Sequence, residues 1–68
     1  MTAHEMFEKL GYKHKDDRLY ISYEYDEEHY FIFHKNFKQI SIGNYHITFD
    51  ELKAINQQSK ELGWQDVE

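Results

Sequence analysis

The chain has no cysteine and no proline, and only three of its 68 residues are glycine. Without cysteine it can form neither a disulfide framework nor a thiolate metal site, the usual reinforcements of a small secreted domain. Three scattered glycines cannot build a phosphate-binding loop. We therefore expect a single cytoplasmic domain that is held together by its hydrophobic core alone.

Two further absences narrow the class of protein. No apolar run approaches the length of a membrane span, and the amino terminus lacks a signal-peptide pattern, so we expect neither insertion nor export. Eight basic residues against thirteen acidic ones give a formal net charge of −5, which argues against general affinity for nucleic-acid phosphates. Aromatic residues, by contrast, make up 18% of the chain, which is typical of a folded domain.

Residues 47–64 carry the clearest helix signals. Thr48 and Glu51 have the spacing of a capping box, in which each side chain satisfies a backbone N–H of the first turn. Gly63 stands where a left-handed residue ends a helix. These signals predict a helix over 49–62. Its apolar spacing predicts a core-facing stripe made of Phe49, Leu52, Ile55, Ser59 and Leu62.

The amino-terminal residues repeat these signals on a shorter scale. Thr2 and Glu5 have the capping-box spacing, and Gly11 ends the apolar pattern as Gly63 does later. The result is a predicted helix over 2–10. We interpret the similar Leu-Gly-aromatic endings as one stop signal used twice.

The middle of the chain predicts strands. Residues 13–18 are a mixed-charge connector, which we interpret as a loop. Over 19–25 apolar side chains alternate with polar ones, and residues 29–34 are apolar at every internal position, which is typical of a central strand. Strands are predicted over 19–25, 29–34 and 39–42, and residues 65–68 are predicted to be a frayed tail. The expected fold is α+β: a short N-terminal helix, a three-stranded antiparallel meander, and a C-terminal amphipathic helix packed on the sheet.

The register of the first hairpin decides which residues are core. A three-residue turn would pair Tyr23 with Phe31 and Ile21 with Phe33 on the buried face, whereas a two- or four-residue turn would reverse the two faces. The first register is the one we predict.

No pattern of residues predicts catalysis, a cofactor or a metal. The five histidines include no pair with the i, i+4 spacing of a zinc-binding helix. The carboxylates between residues 24 and 28 fall at a hairpin tip, which is solvated, so they are poor candidates for paired acid–base chemistry. We expect a protein that is not an enzyme.

The predicted register leaves one sheet face free for a partner. That face would carry the candidate partner-binding residues Tyr20, Tyr30, Ile32 and His34, with Trp64 at its rim. Exposed aromatic side chains of this kind favour protein contacts. We therefore expect an interaction module that binds a protein partner, of which a second copy of the chain is one candidate. The alternative is an acidic nucleic-acid mimic or a nucleic-acid-associated protein.

The two ends of the chain also carry a resemblance. Residues 2–12 read T-A-H-E-M-F-E-K-L-G-Y, and residues 47–64 read I-T-F-D-E-L-K-A-I-N-Q-Q-S-K-E-L-G-W. Both resemble the ends of small uncharacterised proteins encoded by phages and prophages of Gram-positive bacteria, which open with T-A-x-E-M-F-E-x-L-G-Y and close on I-T-x-x-E-L-x-A-I-N-x-Q-x-x-E-L-G-W. The resemblance implies an accessory phage product that acts in the host cytoplasm. It implies no activity or catalytic residue.

Overall fold

A computed structural model of the chain describes residues 1–65. Over this range the chain forms two helices and a four-stranded antiparallel sheet, with the strands in chain order, β1-β2-β3-β4. The α+β class is confirmed, with a helix at each end of the sequence. The elements are α1 (Ala3–Lys9), β1 (Lys13–Asp16), β2 (Tyr20–Asp26), β3 (His29–His34), β4 (Gln39–Ile42) and α2 (Phe49–Glu61).

The predicted three-stranded sheet is wrong by one strand. Residues 13–16, which the sequence predicted as loop, form β1 and pair antiparallel with β2. All four side chains of β1 are exposed and charged or histidine, so no apolar alternation marks the strand. Such composition suits a sheet edge, where charged side chains discourage pairing with other chains.

Both helix ends form as the sequence predicts. Each helix begins with a complete capping box, at Thr2–Glu5 and Thr48–Glu51. Each helix is followed by a glycine at positive φ, Gly11 at 94° and Gly63 at 77°. The N–H of Tyr12 reaches back to the carbonyl of Phe7, and the N–H of Trp64 reaches that of Ser59. Each is the 6→1 hydrogen bond of a Schellman motif, so the same stop signal is used at both helices.

The predicted register of the first hairpin is confirmed. Tyr23 lies opposite Phe31, and Ile21 lies opposite Phe33. The turn itself holds only two residues, Glu27 and Glu28, but an irregularity between residues 24 and 26 adds one residue to β2. The extra residue restores the parity that a two-residue turn alone would reverse.

The core lies between the helices and one sheet face, and it is largely aromatic. The ring of Phe7 stacks on that of Tyr23, with centroids 3.9 Å apart. The Tyr23 hydroxyl donates to Oε1 of Gln58, the one polar side chain that is buried among residues 1–65, at 2.5 Å. The buried residues of the hydrophobic core are Phe7, Tyr12, Ile21, Tyr23, Phe31, Phe33 and Ala54.

Helix α2 presents a different face to the core from the one predicted. Ala54 and Gln58 are buried, whereas Phe49 and Leu52 are exposed. The cause is packing against α1, where the carboxylate of Glu61 accepts a hydrogen bond from the N–H of Ala3 at 2.8 Å. The small side chain of Ala54, and not that of Ser59, therefore meets the core. Ile55 and Leu62 pack at its margin, as predicted.

The predicted tail lies mostly outside the described residues, since residues 66–68 are beyond them. Gln65, its first residue, donates a side-chain hydrogen bond to the carbonyl of Asn56 at 3.2 Å.

Candidate functional site

Four of the predicted partner-binding residues share the sheet face that points away from the helices. Tyr20 lies opposite His34, and their rings meet edge to face at 5.2 Å between centroids. Nε2 of His34 lies 2.7 Å from the Ser41 hydroxyl. Tyr30 and Ile32 complete this outer face, both half-buried.

Trp64, the fifth predicted residue, lies on the other side of the sheet. Its ring centroid is 6.1 Å from that of Phe33, which belongs to the core. Trp64 therefore closes the core near the end of α2 and is not part of the outer face.

Strand β1 adds two basic residues to the outer face. Lys13 lies opposite Glu24, and Lys15 lies opposite Ser22. Residues directly opposite one another share a face of the sheet, so both lysines stand beside the aromatic residues. These lysines were not predicted as site residues, because residues 13–18 lack the apolar alternation of a strand and were expected to form a loop.

A second surface lies along β4 and the start of α2. Tyr45 is almost fully exposed, at 99%, and Leu52 and Ile42 are exposed at 52% and 41%. We name this surface the β4 edge patch and define it by its five exposed apolar residues, which fall within eleven positions of the sequence. The five are Ile42, Tyr45, Ile47, Phe49 and Leu52.

Helix geometry turns Leu52 away from α1, toward the β4 side of the sheet. Glu61 faces α1, because its carboxylate binds the N–H of Ala3. Leu52 precedes Glu61 by nine residues, and nine steps of about 100° turn the helix by half a revolution, so Leu52 faces away from α1. Helix α1 packs against β1. Leu52 therefore faces the opposite edge of the sheet, which is β4.

Strand β4 is an open edge of the sheet. The N–H of Gly43 donates to the carbonyl of Tyr30 at 3.1 Å, which continues the β3–β4 ladder. In an antiparallel pair every second residue bonds to the neighbour, so Ser41 and Gln39 also face β3. The N–H and C=O groups of Ile40 and Ile42 then point outward, toward solvent.

The two edges of the sheet differ in charge. Strand β1 reads K-H-K-D, whereas β4 reads Q-I-S-I and has no charged side chain. Natural sheets usually protect an exposed edge with charge, as β1 does. The edge at β4 lacks that protection and is bordered by apolar side chains.

A hydrogen-bond network connects the start of α2 to the sheet beside this edge. The Tyr12 hydroxyl donates to Oε2 of Glu51 at 2.7 Å, and the amide of Asn44 donates to the same hydroxyl at 3.3 Å. Oδ1 of Asn44 accepts from the N–H of Tyr30 at 3.0 Å. The segment between β4 and α2, which carries Tyr45 and Ile47, is thus tied to β3.

Burial and the Glu51 carboxylate raise the pKa of Tyr12 to about 12. The neutral phenol is therefore favoured in the folded state, and its contribution to stability is lost as the pH rises from 10, the value for a free tyrosine, toward 12. We expect Tyr12 to contribute a loss of no more than about 2 kcal/mol over this range, because solvent screens part of the interaction. Denaturant titrations at about pH 9 and about pH 12 measure it.

Tyr12→Phe should flatten this alkaline loss, although Tyr23, whose pKa burial also raises, keeps part of it. Tyr45→Phe is the matched control, because Tyr45 is exposed, and its pH profile should follow that of the wild type. An unchanged profile for Tyr12→Phe would show that the network does not hold the phenol neutral.

The histidines do not gather into a metal site among residues 1–65, where no cluster of three potential ligands occurs. The rings of His4 and His14 lie 4.2 Å apart, and burial lowers the pKa of His14. At the hairpin tip, the hydrogen bond from His29 to Asp26 raises the pKa of His29 and lowers that of Asp26. These shifts follow from local contacts and define no further site.

Comparison of the chain with known protein families, with curated proteins and with solved structures finds no match. Among the described residues, no helix has the length and apolar character needed to cross a membrane.

The sequence contains a signal for the β4 edge patch, although its residues on α2 were predicted to face the core. Phe49 and Leu52 belong to the predicted core stripe of α2, but both are exposed. Residues 39–49, Q-I-S-I-G-N-Y-H-I-T-F, contain no charged side chain apart from a histidine. That uncharged run is the feature that marks the surface.

Proposed function

We propose that this protein is a non-enzymatic interaction module that binds another polypeptide through the β4 edge patch. The observation that carries the proposal is the open, uncharged edge at β4, where the outward backbone groups of Ile40 and Ile42 lie beside exposed apolar side chains. An extended segment of a partner can pair with such an edge through main-chain hydrogen bonds. Burial of the apolar side chains then stabilises the complex.

The biological setting of the proposal comes from the two end motifs. Their resemblance to phage and prophage proteins suggests an accessory product that acts in the cytoplasm of a Gram-positive host. A small acidic domain without charged residues on one sheet edge suits a role that depends on contact with another protein.

A nucleic-acid-associated protein is the second candidate, and one observation favours it. Lys13 and Lys15 stand on the outer face with Tyr20, Tyr30 and His34, and aromatic rings beside lysines can stack bases and bind phosphates. The net charge of −5 and the presence of Glu24 on the same face favour the first candidate.

Affinity capture from a Gram-positive lysate, to which an untagged copy of the chain has been added, tests the proposal with two matched double variants. Tyr45→Ser with Leu52→Ser removes two exposed apolar side chains of the β4 edge patch, and Tyr20→Ser with Ile32→Ser removes two from the outer face. We expect the first variant to lose captured protein and the second to retain it, with both folded by circular dichroism.

Capture that is unaffected by the patch variant contradicts the proposal. Capture that disappears after nuclease treatment, or in a Lys13→Ala, Lys15→Ala variant, supports the nucleic-acid candidate instead.

A further inference from the structure

We infer that the occupant of the β4 edge patch is a second copy of this chain, with two β4 strands paired antiparallel about a two-fold axis at Ser41. The inference rests on the proposed function, because it names the partner for the same surface. The resulting dimer has one continuous sheet, in which the β4 strands of the two copies lie side by side.

The pairing register follows from the outward backbone groups. Only Ile40 and Ile42 of β4 direct their N–H and C=O groups away from β3, so they form the hydrogen-bonded pairs with the other copy. With the axis at Ser41, Ile40 of each copy lies opposite Ile42 of the other. Two such pairs satisfy all of the outward groups of both residues.

The side chains match in this register. Ile40 and Ile42 both belong to the sheet face that carries the helices, because they lie opposite Phe33 and Phe31. Their cross-pairing therefore places isoleucine against isoleucine. Ser41 meets its own copy on the outer face, so no charge confronts a like charge.

Strand β1, at the opposite edge of the sheet, is unsuitable for the same pairing with a second copy. The N–H of Asp17 bonds to the carbonyl of Tyr20, so the same alternation leaves the backbone groups of His14 and Asp16 pointing outward from β1. Equivalent self-pairing of β1 would set Lys15 directly against Lys15. Like charges directly opposite are destabilising, so β1 resists the pairing that β4 permits.

A stable interface with a second copy must extend beyond the four residues of β4. A standard interface covers about 800 Å² of each partner, and this chain exposes 5154 Å² in total. Four strand residues cannot supply that area alone. Leu52 is exposed and lies on the side of α2 that is turned away from α1, so symmetric pairing of the β4 strands would add the Leu52 side chains of both copies to the interface.

Substitution of Ser41, the residue on the two-fold axis, by residues of opposite charge tests the pairing directly. By light scattering at high protein concentration, the wild type should have twice its 8.4 kDa mass. Ser41→Lys alone and Ser41→Glu alone should each be monomeric, because like charges meet at the axis. An equimolar mixture of the two variants should recover the dimer mass. Ser41 makes its one side-chain hydrogen bond to His34, so neither change removes a core contact.

A single-cysteine experiment tests the register, because the chain has no cysteine of its own. Non-hydrogen-bonded antiparallel partners have Cα atoms about 4.5 Å apart, which a disulfide can bridge. Ser41→Cys should therefore form a covalent dimer under mild oxidation. Gln39→Cys is the matched control on the same strand and face. Its two copies would lie roughly 13 Å apart along the strands, so it should crosslink far more slowly.

The outcomes separate this inference from the proposed function. If the wild type is monomeric, or if the mixture of Ser41→Lys and Ser41→Glu stays monomeric, the inference that the partner is a second copy is wrong. If the wild type then captures a lysate protein and the Tyr45→Ser, Leu52→Ser variant does not, the proposed function still holds with a different partner. Equal crosslinking of Ser41→Cys and Gln39→Cys overturns the register. In each experiment, circular dichroism must show that the variants are folded.

Discussion

Phe7→Ala is expected to leave the chain largely unfolded near neutral pH. Phe7 is completely buried, and its ring contacts those of Tyr12, Tyr23, Phe31 and Phe33. Truncation of a buried phenylalanine costs about 3–5 kcal/mol. A domain of this length has a total stability of roughly 3–10 kcal/mol, so the loss is comparable with the whole. Thermal melting followed by circular dichroism measures it.

Phe37→Ala is the control for this change. Phe37 lies in the turn between β3 and β4 and is exposed at 74%, so its truncation should change stability by no more than about 0.5 kcal/mol. Similar melting curves for Phe7→Ala and Phe37→Ala would mean that Phe7 is not packed in the core.

Ala54→Glu is the second change expected to unfold the protein, and Leu52→Glu should be tolerated. Ala54 is fully buried where α2 meets the core, so a glutamate there has no room and no partner for its charge. Burying an unpaired carboxylate costs several kcal/mol. Leu52 faces solvent in the monomer, and a charge there stays hydrated.

The two glutamate variants are compared by denaturant titration at low protein concentration. Dilution matters because self-association through Leu52 would add to the apparent stability of the wild type. The apolar spacing of the sequence predicts the opposite ranking, with Leu52 in the core. A Leu52→Glu variant that is less stable than Ala54→Glu would show that α2 packs by its apolar stripe after all.

The ends of the elements could be predicted from sequence because their signals are local. A capping box needs only Thr48 and Glu51, and a Schellman ending needs only a glycine such as Gly63 and the residues around it. The hairpin register was also predictable, because the strongly apolar β3 allows few pairings that bury Phe31 and Phe33 together.

Strand β1 and the rotation of α2 could not be predicted, because both depend on distant contacts. Strand β1 has no apolar alternation, and it exists because β2 offers it an edge. The rotation of α2 follows from packing against α1, which the apolar spacing of α2 alone does not encode. The candidate surface was missed for the same reason, since Phe49 and Leu52 become exposed only when Ala54 takes the core position.

The hydrogen bond between the Ala3 N–H and the Glu61 carboxylate bears on when the protein can fold during its synthesis. Helix α1 has seven residues, too few to persist in water without packing partners. One of those partners, Glu61, follows Ala3 by 58 residues. At about 5–20 residues per second, a ribosome needs roughly 3–12 s to add them. During that time Phe7 has no complete core to enter, so the domain folds as a whole only after Glu61 has been synthesised.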